Sequence, residues 1–203
     1  MENETSETNY HPLPTTHYPP KKYRAIAIYG GSFDPPHLGH LAVMSKALET
    51  LDIDKLIVVP AYLSPFKKGH RAPAALRVRW LKKVAAMDPR IEVSDIEAVK
   101  EGPSYTVDTV TRFLPEADTI YLIIGADNLA HLKEWHRFDD LNRMVRWVVA
   151  TRDDTPVPEG FLRLDVDVPV SSTRLRKRID PKWIPEPIRE EVVKFYKSSK
   201  EKD

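Results

Sequence analysis

Residue types and spacing come closest to dictating a chemistry in the stretch Gly30-Gly31-Ser32-Phe33-Asp34-Pro35-Pro36-His37-Leu38-Gly39-His40-Leu41. It follows a short apolar run at 25–29 and leads into Leu41, Met44, Leu48 and Leu51, whose spacings of three and four mark an amphipathic helix. Glycines at a strand end let backbone amides approach an anion, and a helix N-terminus adds unpaired N–H groups and the positive end of the dipole. His37 and His40 are three apart and share one helix face, where both can donate hydrogen bonds to phosphate oxygens. The pattern is neither G-x-x-x-x-G-K-[ST] nor G-x-G-x-x-G, so a phosphate would be held by a different kind of loop. Half of a zinc site is disfavoured, because no Cys or Glu stands near the histidine pair.

A second cluster, Ser171-Ser172-Thr173-Arg174-Leu175-Arg176, follows Pro169 and Val170 and reads as another helix start. One hydroxyl residue suffices to cap a helix. Three in a row, with Arg176 one turn beyond Ser172, exceed that need and suit a guanidinium forked onto a phosphate at the same helix end. Together the two clusters describe two helix N-termini gripping one polyphosphate. Cysteine is absent, which excludes a thiol nucleophile, a thiolate metal site and a disulfide framework. No serine elbow or carboxylate pair argues for a covalent intermediate.

The elements needed to position these groups are legible in the rest of the chain. Its 203 residues carry 31 Lys and Arg against 30 Asp and Glu, a net charge of +1, so neither a basic nucleic-acid binder nor an acidic tail protein is expected. Apolar runs at 25–29, 55–59, 91–93, 119–124 and 146–151 read as strands. Segments 74–87, 104–114, 138–144 and 172–178, and the terminal stretch with Ile188, Val192, Phe195 and Tyr196, read as helices. Such alternation implies a parallel sheet covered on both faces, a Rossmann-like, doubly wound α/β single domain whose ligand lies beyond the carboxyl ends of the strands. Residues 25–197 would form that domain. Residues 1–24, poor in aliphatic side chains, would be a disordered tail, and 198–203 a frayed end. No apolar run nears the ~20 residues of a membrane span, and no signal-peptide layout opens the chain. A cytoplasmic protein with no membrane partner is expected.

GGSFDPPHLGHL followed by SSTRLR resembles the nucleotidylyltransferase superfamily, whose signatures are (T/H)xGH after the first strand and (I/V)SSTxxR near the end. Within it the chain is similar to the bacterial nicotinate-nucleotide adenylyltransferases. Further matches are Pro60 with Ser64-Pro65-Phe66-Lys67, then Pro103-Ser104-Tyr105-Thr106, Ile124-Gly125-Ala126-Asp127-Asn128, and Trp135. The likeness spans roughly residues 25–197. It implies adenylyl transfer from ATP to nicotinate mononucleotide, a step of NAD biosynthesis giving deamido-NAD and pyrophosphate. Mg²⁺ would be bound through the ATP phosphates and not by protein side chains.

The resemblance also implies site residues. His37, His40, Lys67 and Arg176 would be catalytic, with His40 at the reacting α-phosphate and Arg176 at the β- and γ-phosphates. Gly30, Gly31, Ser32, Phe33, Gly125, Asp127, Ser171, Ser172 and Thr173 would bind ATP, Asp127 through the ribose hydroxyls. Tyr105 and Thr106 would form the nicotinate pocket, beside the Ser104 hydroxyl, and Trp135 would stack on the pyridine ring. Many family members carry a histidine where this chain has Phe66, so that role is not carried over. Arg77 and Arg79 read as surface or structural residues. The nucleophile, a phosphate, is ionised at neutral pH, so positioning and charge neutralisation are what the protein must supply. Phosphopantetheine adenylyltransferase, a cytidylyltransferase, and a non-catalytic nucleotide-binding module stand as alternatives. A homo-oligomer is left open.

Overall fold

The strand that carries the first motif is Ala-Ile-Ala-Ile-Tyr at its centre, and every one of those residues is buried. A strand apolar on both faces must lie inside a sheet covered on both sides. The structure, a computed structural model, describes residues 21–63, 69–100, 102–152 and 155–199. Six parallel strands form its sheet: β1 Tyr23–Gly31, β2 Lys55–Pro60, β3 Ile91–Val93, β4 Ala117–Gly125, β5 Arg146–Thr151 and β6 Leu162–Asp165. Their spatial order is β3-β2-β1-β4-β5-β6. The order reverses between β1 and β4, and loops leaving the carboxyl ends of those two strands diverge to open a ligand crevice.

Among the described residues, seven α-helices connect and cover the strands: α1 Leu38–Thr50, α2 Ala74–Ala85, α3 Ile96–Lys100, α4 Thr106–Phe113, α5 Phe138–Met144, α6 Ser172–Lys177 and α7 Arg189–Ser198. Residues two apart on a strand share a face. Ile26 and Ile28 of β1 meet Val107, Val110 and Phe113 of α4 and Leu141 of α5, whereas Ala27 and Tyr29 meet Val43, Met44, Ala47 and Leu48 of α1. A third apolar cluster lies apart from the sheet, where Trp80 and Val84 of α2, Leu175 of α6 and Val192 and Tyr196 of α7 pack together.

The fold class matches the sequence reading, with local differences. β1 begins at Tyr23, inside the stretch expected to be tail. The Tyr23 N–H donates to the Glu116 carbonyl and the Arg24 guanidinium pairs with Asp52, so backbone pairing and polar contacts extend the strand beyond its apolar run. β6 was not among the expected strands, because Leu162-Arg163-Leu164-Asp165 sits on the sheet edge and buries one residue of its four, Leu164. The expected tail falls on residues 1–20 largely outside the described residues, as does 200–203 of the expected frayed end.

Leu122 is buried at the centre of β4, the strand next to the crevice. Leu122→Ala should lose about 2–5 kcal/mol in urea unfolding. Met87→Ala, at a side chain 66% exposed, should stay within about 0.5 kcal/mol of the parent.

Candidate active site

The carboxyl edge of the sheet gathers four segments: residues 32–37 after β1, Gly125–Asp127 after β4, Arg152 after β5, and Ser171–Thr173 at the start of α6. The two sequence motifs meet there directly. The Ser172 hydroxyl donates to the Pro35 carbonyl at 3.0 Å, and Arg176 donates through one guanidinium nitrogen to the Asp34 carbonyl at 2.8 Å and through the other to Thr173 Oγ1 at 3.0 Å. Ser171 caps α6, its hydroxyl accepting from the Arg174 N–H at 3.3 Å. The three successive hydroxyls therefore have three different duties: a cap, a tie to the first motif, and an acceptor that orients Arg176.

The loop after β1 is fixed from within. Phe33 adopts a positive φ of 47°, a left-handed conformation that surroundings must enforce for a residue with a side chain. Its ring supplies that constraint, buried edge-on against Tyr29 at 5.3 Å and His40 at 4.9 Å. Next in sequence, the Asp34 carboxylate is 2% exposed. It accepts from the backbone N–H groups of Arg71 at 2.8 Å and Ala72 at 3.0 Å and from the hydroxyl of Tyr196, while Arg176 stands 4.0 Å away. Arg77 is fully buried and donates to the carbonyls of Ser32 at 2.7 Å, Ala72 at 3.0 Å and Tyr62 at 3.4 Å. It is structural, as one of the two readings had it, and it staples the loop after β1 to α2.

His37 and His40 stack, with ring centroids 3.6 Å apart and planes at 19°. The His37 backbone N–H donates to His40 Nδ1 at 3.1 Å, so a neutral His40 carries its proton on Nε2. Gly39 makes the stack feasible, since a Cβ there would lie 3.1 Å from the His37 ring. His37 itself is 1% exposed. Burial, and then the positive charge of Arg152, lower its pKa to about 3. Burial thus favours a neutral His37 imidazole, stacked against the ring of His40.

At β4 the expected ribose residue, Asp127, is exposed at the crevice and takes an amide hydrogen bond from Asn128 at 3.4 Å. A Cβ at Gly125 would meet the Asp127 carboxylate, so glycine there lets that side chain lie over the end of β4. Tyr105 precedes α4, and its ring lies against His136 with centroids 4.4 Å apart. His136 follows Trp135, so Tyr105, Thr106 and Trp135 come into one neighbourhood. Trp135 stands edge-on to Trp147 at 6.3 Å, and Trp147 is sandwiched between Phe138 and Phe161. Ser104 does not serve as expected. Its hydroxyl accepts from the Tyr62 N–H at 3.0 Å and is hydrogen-bonded to the buried Glu97 carboxyl, which the Thr109 hydroxyl also reaches at 2.5 Å. Its one O–H is spent inside a cavity of 180 Å³ behind the loop. Asp108, in the first turn of α4, pairs with Lys100 at 2.9 Å.

Lys67 and its neighbours Ser64 to Lys68 lie outside the described residues. Asp34, Tyr196, Arg152 and His136 were missed as site residues. Asp34 stood within the first motif, and only its near-total burial reveals it as a hub. Nothing in the local sequence marks Tyr196, which reads as one apolar position of a helix. Among the described residues no group of three or more His, Asp or Glu side chains is placed to hold a metal ion. No helix among them is long and apolar enough to cross a membrane.

Comparison with known proteins agrees with this geometry. A profile described as "Cytidylyltransferase-like" matches residues 28–178. A Sulfurimonas denitrificans protein named "Probable nicotinate-nucleotide adenylyltransferase" is 45% identical over 172 residues, which are 85% of this chain and 94% of the relative. A Nitratiruptor protein of the same name is 43% identical over 177 residues, covering 85% and 99%. Among solved structures, Plasmodium falciparum nicotinic acid mononucleotide adenylyltransferase complexed with NaAD superposes with a TM-score of 0.67 at 21% identity, covering 87% of this chain and 98% of that one. At that identity the superposition establishes the fold.

The buried neutral His37 makes stability depend on pH. Its folded pKa of about 3 lies below the ordinary 6.5, so its contribution is fully present above pH 6.5 and is lost as pH falls towards 3, by about 1.4 kcal/mol per unit. Between pH 7 and pH 4.5 the parent should therefore lose about 2–3 kcal/mol more than His37→Gln in urea unfolding. Equal losses would show that His37 is charged or hydrated in the folded state.

Proposed function

The chain belongs to the cytidylyltransferase-like family and, within it, to the nicotinate-nucleotide adenylyltransferases, and from this membership we infer its reaction and the duties of its residues. It transfers the adenylyl group of ATP to nicotinate mononucleotide, giving deamido-NAD and pyrophosphate, in NAD biosynthesis. The observation that carries the assignment of roles is the junction of the two motifs, in which Ser172 and Arg176 bond to the Asp34–Pro35 segment of the first loop. One triphosphate fits such a junction better than two separate anions would.

In this reading the mononucleotide phosphate attacks the α-phosphorus of ATP, and pyrophosphate leaves on the opposite side. The bond broken is α-phosphorus to bridging oxygen, and the bond formed joins the two nucleotides. No proton moves in this exchange. The chain's task is alignment and electrostatic support of charge on the phosphate oxygens. His40 donates from Nε2 to the α-phosphate, held in that tautomer by the His37 N–H. His37 takes part through its ring beneath His40, as a neutral group. Arg176, with the N–H groups of Ser172 and Thr173, holds the β- and γ-phosphates. Lys67 belongs to the same set by the family pattern. Arg152, exposed at the end of β5 and close enough to act on His37, adds positive charge for the acceptor phosphate.

Backbone groups of Gly30, Gly31, Ser32 and Phe33 border the nucleotide, with Gly125 and Asp127 at the ribose. Mg²⁺ enters as the ATP salt. The site's own donors are imidazoles and guanidinium groups, and the Asp34 carboxylate is already surrounded by donors. When present, the ion screens the phosphate oxygens. A cytoplasmic place of action is part of the same reading and rests on the family.

His40→Ala should fold normally and lose about 10²–10³ in kcat, the scale for removing one oriented donor. A few-fold change in pyrophosphate release would exclude a contact with the reacting phosphate. For the acceptor, kcat/KM should be higher with nicotinate mononucleotide than with the nicotinamide compound. Trp135→Ala should weaken both through lost stacking. Assaying pyrophosphate release with these two, phosphopantetheine and glycerol phosphate decides the acceptor, and a preference for the amide would leave only the broader transferase reading.

A further inference from the structure

We propose that Tyr196, on the terminal helix α7, is a positioning residue that keeps Arg176 available to the triphosphate by satisfying the Asp34 carboxylate. The inference rests on the reading above that Arg176 contacts the β- and γ-phosphates. Tyr196 lies beyond residue 178, where the family match ends, and it is buried to 1%.

The donors around Asp34 are of two kinds. Oδ1 accepts from the Ala72 N–H at 3.0 Å and from the Tyr196 hydroxyl, and Oδ2 accepts from the Arg71 N–H at 2.8 Å. The two backbone N–H groups are fixed by the chain. Arg176 is different: its side chain is 29% exposed and its guanidinium stands 4.0 Å from Oδ2. It is tied instead to the Asp34 carbonyl and to Thr173 Oγ1. A buried carboxylate short of one donor is strongly unfavourable, because a charged acceptor is left unsolvated. The donor best able to move in and relieve it is the Arg176 guanidinium. Arg77 also acts on Asp34 but is held by three carbonyls, so Asp34 and a triphosphate compete for the movable Arg176, and the phenol hydroxyl decides the competition in favour of the ligand. Burial among Trp80, Val192 and Leu175 holds the ring in place for this. Burial, together with the Asp34 charge, raises the Tyr196 pKa far above its ordinary value, so the hydroxyl remains a donor over the working pH range.

The test is a cycle of Tyr196→Phe, Arg176→Ala and their combination, with Val192→Ala as a packing control from the same cluster. Tyr196→Phe should raise KM for ATP about tenfold, the scale of one hydrogen bond to a charged group. KM for nicotinate mononucleotide and kcat at saturating ATP should stay within about twofold. In the Arg176→Ala background the same change should add nothing, since no guanidinium is left to capture. Val192→Ala should lower Tm at least as much and leave KM for ATP unchanged. An unchanged KM in Arg176→Ala itself would remove the phosphate reading and the inference with it. A raised KM in Arg176→Ala, with either no effect of Tyr196→Phe or full additivity of the two, would overturn the positioning role alone.

Discussion

One buried charge organises this molecule. The Asp34 carboxylate, withdrawn from water, is satisfied by donors from two separate parts of the chain, the backbone at Arg71 and Ala72 and the phenol on α7, with the guanidinium on α6 standing 4.0 Å away. Because an unsatisfied buried carboxylate is so unfavourable, each of those parts is held to the loop after β1. Arg77 repeats the scheme with opposite charge, satisfying three carbonyls that nothing else reaches together. The geometry of the loop after β1 is thus imposed from beneath by paired polar groups, and its open side is left to backbone amides and movable side chains.

The parallel sheet explains why such distant segments can meet. All six strands point the same way, so every loop leaving a carboxyl end emerges on one edge. That edge then concentrates cationic and donor groups, Arg152, Arg176 and the stacked histidines, and their mutual repulsion must be contained. Two imidazolium rings at 3.6 Å would repel strongly. Burial of His37 resolves this by keeping that ring neutral.

Much of this was legible in the sequence. Strands β1, β2, β4 and β5 are uninterrupted apolar runs, and a run buried on both faces declares itself. β6 did not, since an edge strand needs only one inward residue. The glycine-rich loop, the histidine pair and Arg176 were recognised because their chemistry is local: residue type and spacing suffice. Asp34, Arg77 and Tyr196 were not assigned to the site, because what matters about them is the company they keep across the fold. Tyr196 at a helical apolar position is indistinguishable from a core residue until its hydroxyl is seen to meet Asp34. Ser104 illustrates the converse. Its hydroxyl suited a substrate donor in sequence, and the fold had already committed it to Glu97 and Tyr62.

The partners in the Tyr196–Asp34 bond are 162 residues apart in the chain. A ribosome delivers the glycine-rich loop long before the phenol. Strands β1 and β2 can pair, and α1 can cover them, well before α7 has been made. During that interval the nascent chain carries a finished-looking domain whose Asp34 still lacks one of its donors. The phenol donor to Asp34 therefore arrives only once α7 has been made and docked, a non-local closure that follows the pairing of the early strands.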